Sequence, residues 1–256
     1  MNTLYKHDKY LNKDIEYLIG NEIIEYDMRE AGFNIIKCFN LVSPAEIQRL
    51  EKMSKNQRKI EIGLMQIRNK GLKEKLKDGF MECRRIFFNA NGLQEDDILS
   101  IKKDAIFLLK PCTNTKFKNI EFAEKNRYTS YYYLNNLEFY YNNEDKLDVK
   151  GINDTLLELH KDGFLLFLKD LFRYKETEDD LITLKFVKEF SDEYKRFMLP
   201  VEFYRELSKD SMYKFKKKLL NDNIYIKDIS DEYAKELLDI HYNFTHYIIP
   251  FMKILI

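Results

Sequence analysis

Along the first half of the chain the spacing of apolar positions changes several times, and each change marks a predicted element. Residues 1–20 read as a polar lead-in with a short helix. Asn21–Asp27 (NEIIEYD) has the branched and aromatic character of a short strand, and the apolar residues after it, through Leu41, recur at helical spacing. Ser43-Pro44-Ala45-Glu46 is a helix start. The Ser hydroxyl can cap, Pro loses nothing at a first position whose N–H has no helical partner, and Glu can reach back to the cap. Ile47, Leu50 and Met53 then share one face, and Ile60, Leu64 and Ile67 form a second helical stripe. Lys73–Phe88 continues as an amphipathic helix ending near Asn91-Gly92.

After Gly92 the period shortens. Ile98–Ile101 and Ala105–Leu109 are β-type runs separated by Lys102-Lys103-Asp104, a hairpin without a turn glycine, and Pro111 stops its second strand. Tyr128–Tyr133 and Leu137–Tyr141 flank Leu134-Asn135-Asn136 as a clearer hairpin, and Leu147–Ile152 is another extended piece. From Asp154 the pattern is helical almost to the end, with breaks near Thr177–Asp180 and Pro200. The fold class expected is α+β: a small antiparallel sheet with packed helices, followed by a mainly helical C-terminal region.

Composition narrows this picture. Of 256 residues 45% are hydrophobic and 14% aromatic, which is enough for a core and excludes a disordered chain. Abundant Tyr, Phe, Lys, Asn and Ile with no Trp suggest AT-rich coding, as in a low-GC bacterium or its phage. Forty-three basic residues balance forty-three acidic ones, so contact with nucleic acid must be local rather than a matter of bulk charge. Cys38, Cys83 and Cys112 are scattered and read as reduced thiols. Met1–Tyr10 lacks the apolar core of a signal peptide, and no apolar run approaches a membrane span. A cytoplasmic location in a bacterial or phage-infected cell, with no membrane partner, is the expectation. His241 and His246 are spaced by five, which does not align a zinc pair on one helical face.

Two aspartates stand out by position. Asp27 closes a strand just before a helix, and Asp104 sits at the edge of a hairpin. If these elements are neighbours, the carboxylates converge. Such a pair can hold Mg²⁺ (or Mn²⁺), a hard cation that takes one or two carboxylates together with substrate phosphates.

At these residues the chain resembles the family B DNA polymerases. Tyr26–Ile35 (YDMREAGFNI) is similar to motif A (Y-D-F-N-S-L-Y-P-S-I), and Ser100–Leu109 (SIKKDAIFLL) to motif C (Y-G-D-T-D-S-I-F-V). Lys125-Asn126-Arg127-Tyr128 resembles the K-K-R-Y motif, and Val149-Lys150-Gly151-Ile152 the V-K-G-I that follows it, all in the family's order. The resemblance implies a palm-like domain over residues 1–155, with short basic fingers-like helices at about 44–90, and a thumb-like helical region over 156–256. It implies metal-dependent, template-directed nucleotidyl transfer, with Asp27 and Asp104 as catalytic metal ligands. Lys55, Arg58 and Lys59 would meet the triphosphate. Lys125, Arg127, Tyr128 and Lys150 would meet the primer–template.

Several positions depart from the pattern. Lys102 replaces the first motif C aspartate, motif B is not legible, and no exonuclease domain precedes motif A. Gly32 stands where a tyrosine excludes the ribose 2′-hydroxyl, which implies tolerance of ribonucleotides. Protein partners would then supply the missing fingers or exonuclease functions. The alternative is a palm-derived protein that has lost catalysis and serves in binding or assembly. A helical interaction factor unrelated to polymerases is a third class. The second basic cluster, at Lys214 and Lys216 to Lys218, reads as a solvated surface.

Overall fold

Ile24, Tyr26 and Met28 alternate with Glu25 and Asp27, so a strand here buries its even-numbered face and keeps its carboxylates on the other. The computed structural model describes residues 3–134, 136–151, 158, 161–196, 198–200 and 203. It is a mixed α+β protein, as the pattern predicts. The chain divides into two compact units. The first comprises residues 1–15 and 22–127; the second comprises residues 16–21 and the described residues from 128 onward. Within the second unit the tyrosine-rich hairpin packs on the later helices, with Tyr141 stacked on Phe172 at 5.7 Å.

In the first unit β1 (Lys9–Leu11) and β2 (Tyr17–Met28) precede four helices: α1 (Ala31–Phe39), α2 (Pro44–Glu51), α3 (Lys55–Arg68) and α4 (Lys70–Ala90). The hairpin of β3 (Ile98–Lys102) and β4 (Ala105–Leu108), then β5 (Lys116–Phe117) and β6 (Ile120–Leu134), complete it. The strand order is β1-β3-β4-β2-β6, with β5 beside β6. A strand, a helical excursion, a hairpin and a returning strand, with the first strand central, make a split βαβ arrangement. Arg29 bonds to Glu121, Glu25 to Lys125, and Glu22 to Arg127, the opposed running order of antiparallel neighbours.

One face of this sheet carries the core. Ile24, Tyr26 and Met28 of β2, Ile106 and Leu108 of β4, and Ile120 and Phe122 of β6 pack with α1 and α4. Phe87 of α4 stacks on Phe122 at 4.3 Å and meets Tyr26 at 5.7 Å. Helices α1 and α4 approach closely at Gly79, where a Cβ would lie 2.3 Å from Ile35. Ser43 caps α2 as expected, accepting from the Glu46 N–H.

The face chosen for α3 is different from the one its sequence suggests. Ile60, Leu64 and Ile67 are 64%, 38% and 79% exposed, and the helix instead buries Ile62. The strip it covers is narrow because Arg58, rather than an aliphatic residue, fills the space over Phe33. Strand β1, the eight residues of β6 before Tyr128 and the early start of β2 are also longer or newer than predicted.

In the second unit the end of β6 pairs with β7 (Leu137–Asn142), which pairs with β8 (Lys146–Lys150). Tyr131, Tyr132 and Tyr140 are fully buried, and the Tyr140 hydroxyl donates to Glu138 at 2.7 Å. Helices α5 (Phe164–Thr177) and α6 (Asp180–Lys195) follow, with the break where predicted. Phe167 stacks on Phe190 at 3.9 Å between them. Gly151 has φ +100°, and a Cβ there would sit 2.5 Å from the Asn136 carbonyl oxygen, so its glycine has a backbone reason. Asn135, Ile152, His160, the Lys214–Lys218 cluster, His241, His246 and Tyr247–Ile256 lie outside the described residues, as does most of the helical region expected beyond 196.

Candidate functional site

The two aspartates are on adjacent strands of the first unit. Asp27 pairs with Ala105, and the Met28 N–H donates to the Asp104 carbonyl at 3.0 Å. Lys102 pairs with Ala105, so the β3–β4 loop is only Lys103 and Asp104. Lys103 takes φ +59°, a conformation that two-residue hairpin loops usually assign to Gly or Asn. Its N–H donates to the Asp8 carbonyl at 2.7 Å, its own carbonyl accepts from Arg84 at 2.7 Å, and its ammonium lies 5.0 Å from the Phe80 ring centre.

Opposite stands α3. Ser54 and Gln57 form a capping box at its start, which fixes the direction in which its first turn projects Lys55, Asn56, Arg58 and Lys59. A cavity of about 480 Å³ lies between these elements, and its walls include Asp27, Asp104, Lys103, Gly32, Lys55, Arg58, Lys59 and Gly63. The chain thus brings Asp27, Asp104, Gly32 and all three triphosphate candidates to one place.

Arg58 does not behave as the mobile cation expected of it. Its guanidinium donates to Glu30 at 2.6 Å and to the Met53 carbonyl at 2.9 Å, and it lies 4.3 Å from the Phe33 ring centre. Phe33 is buried under it and lines the cavity beside Gly32. Lys55 and Lys59, by contrast, are exposed and have no ion-pair partner among the described residues. Gly32 has ordinary room for a side chain, since a Cβ would meet Ile62 at 3.6 Å.

The Asp27 carboxyl is held above its ordinary range, first by burial and then by the neighbouring charge of Asp104. Lys125 opposes this shift: its ammonium lies 3.7 Å from Asp27 and 3.2 Å from Glu25. Burial alone would lower the Lys125 value, but these two carboxylates raise it. Glu25 is 1% exposed and also accepts from Asn126 at 2.5 Å.

The four nucleic-acid candidates separate. Lys125 is engaged with Glu25 and Asp27, and Arg127 is paired with Glu22 and Glu124. Lys150 sits in β8 across from Glu138. Tyr128 is corrected to a core residue of the second unit: it is 1% exposed, and its hydroxyl donates to Asp148 at 2.8 Å. A ring in that setting cannot stack on a base.

The donor set limits the metal. Among the described residues no group of three or more His, Cys, Asp and Glu side chains converges as an ion site. An all-protein cage for Zn²⁺ is therefore not formed by them, whereas two carboxylates fit Mg²⁺, which shares its coordination with water and phosphate. Cys38, Cys83 and Cys112 are free, and burial pushes the Cys83 thiol up to about 12.

A family model described as "Bacteriophage PBS1 gene 130 protein" matches residues 1–256. The chain belongs to this family. Its phage association agrees with the compositional reading. No curated protein matches the sequence. No described helix is long and apolar enough to cross a membrane.

Three contributors to the site carry little signal in the sequence. Arg84 on α4 looks like a solvent-facing residue of an amphipathic helix, yet it is fully buried. Asp8 lies in a segment with no periodic pattern. Lys103 is legible only as part of a turn lacking glycine.

Proposed function

We propose that this phage-family protein is a reduced, family B-like nucleotidyltransferase that extends a primer on a nucleic-acid template. One observation carries the reading: Asp27, Asp104, Gly32, Lys55, Arg58 and Lys59, chosen for separate roles, line one cavity. The strand order gives further support, since the motif A-like strand is central and the motif C-like hairpin is beside it. Asp27 and Asp104 would hold Mg²⁺ or Mn²⁺, which supplies charge neutralisation to phosphoryl transfer when bound. Lys55 and Lys59 face the same space, have no ion-pair partner among the described residues and would neutralise the triphosphate, while Arg58 shapes the wall. Gly32 leaves room beside the sugar.

The test is primer extension with Mg²⁺ or Mn²⁺, comparing deoxyribonucleotides with ribonucleotides. Incorporation of both is expected, with Asp27→Asn and Asp104→Asn each lowering the rate by at least about a hundredfold. Gly32→Tyr should shift preference toward deoxyribonucleotides. Strong deoxyribonucleotide preference in the wild type would refute the role given to Gly32.

A second reading, a non-catalytic palm-derived binding module, is favoured by Lys125. Its ammonium already serves as a counter-ion to Asp27 and Glu25, the position a divalent ion would share. No incorporation of either nucleotide by a folded protein would select this reading.

A further inference from the structure

We propose that Arg84 is a positioning residue that clamps a strained Lys103–Asp104 turn, and so sets the Asp104 carboxylate for a divalent cation. The inference rests on Asp104 being a metal ligand. The loop has only those two residues, and the positive φ falls on a lysine rather than a glycine. A side chain in that backbone region is disfavoured by contact with the neighbouring carbonyl. Such strain persists where the surroundings over-determine the conformation, and it gathers at functional sites.

The surroundings here do over-determine it. Arg84 is 0% exposed, and its Nε, Nη1 and Nη2 donate to Tyr5 O, Lys103 O and Asp8 Oδ1 at 2.8, 2.7 and 2.9 Å. The Asp8 carbonyl in turn accepts the Lys103 N–H at 2.7 Å, which closes a ring of contacts through Arg84, Asp8 and Lys103. Asp104 follows immediately, and its carbonyl is tied to Met28, next to Asp27. Both flanks of the Asp104 backbone are therefore fixed from outside the hairpin. Partners that orient metal ligands in this way typically change metal affinity by ~10–100-fold when lost.

A plain scaffold role and a positioning role differ in what Lys103→Gly does. Glycine accepts a positive φ without strain, which offsets the lost contact of the Lys103 ammonium with Phe80, while the turn gains freedom. The experiment uses the full chain with Mn²⁺ alone as probe. It measures Mn²⁺ affinity by electron paramagnetic resonance, amide exchange at residues 103–105, and the thermal midpoint. Lys103→Gly is expected to keep or raise the midpoint, speed turn exchange, and weaken Mn²⁺ by about tenfold. Asp8→Asn, a change at a partly exposed side chain, should weaken it several-fold, and Arg84→Lys about as much as Lys103→Gly. Unchanged Mn²⁺ affinity in Lys103→Gly with a loosened turn would overturn the inference alone. No Mn²⁺ binding by the wild type, with Asp104→Asn indistinguishable from it, would overturn the metal reading and this inference with it.

Discussion

The two walls of the cavity are built on opposite terms. On the hairpin wall the Lys103 N–H, the Lys103 carbonyl and the Asp104 carbonyl have fixed partners in Asp8, Arg84 and Met28. On the α3 wall, Lys55 and Lys59 extend into water without an ionic partner among the described residues, and only Arg58 is pinned. Under the proposed function the difference separates two tasks. A cation site needs its ligands held in register before the ion arrives, because two like charges cannot organise themselves. A phosphate-neutralising surface needs only charge within reach, and long side chains supply that with little preorganisation.

The contrast between the walls should show most severely at Arg84. Arg84→Met would leave buried carbonyls of Tyr5 and Lys103 without a donor and Asp8 without its partner. A loss of about 3 kcal/mol in urea unfolding is expected. On the other wall the largest effect has the opposite sign. Gly63 lies inside α3, and a Cβ added there would meet nothing within 4 Å, so Gly63→Ala should stabilise by roughly 0.5–1 kcal/mol.

A smaller effect concerns Asp27. Its carboxyl titrates above the ordinary range, so the folded protein binds that proton more tightly than the unfolded chain does. The resulting penalty is absent below the ordinary carboxylate range and complete above the raised value. Metal-free Asp27→Asn should therefore be more stable than wild type at neutral pH, with the gain shrinking toward about pH 4. Equal stability across that window would show that Lys125 fully compensates the charge. Smallest of all, Lys55→Ala and Lys59→Ala should alter stability by less than ~0.5 kcal/mol while raising KM for nucleotide. A large stability loss in either would mean that the α3 wall is held as rigidly as the hairpin wall.

Much of the fold was legible because local chemistry and tertiary structure agree. Ser43 and Pro44 start α2, and the Ile98–Leu108 hairpin follows from its β-type runs. The adjacency of Asp27 and the Asp104 hairpin is an expectation drawn from a strand end and a hairpin edge, and the strands are neighbours. What failed did so for identifiable reasons. Ile60, Leu64 and Ile67 have helical spacing, but periodicity cannot say which of two faces a helix buries when an arginine stacked on Phe33 takes the inner one. Tyr128 sits in a plausible motif, yet burial depends on β7 and β8, which lie later in the chain. Arg84 gives no signal, since a buried and a solvated arginine look alike in sequence.

The tyrosine hairpin of the second unit has a consequence for optical measurement. The protein has eighteen tyrosines and no tryptophan, so its near-ultraviolet signal is phenolic. Burial pushes Tyr131 and Tyr132 well above an ordinary phenol, and burial followed by the charge of Asp145 pushes Tyr141 up to about 12. An alkaline absorbance titration should then show a late step, released as this hairpin opens. The hairpin thus gives the second unit a label-free reporter, read beside the raised phenols Tyr10 and Tyr26 of the first unit.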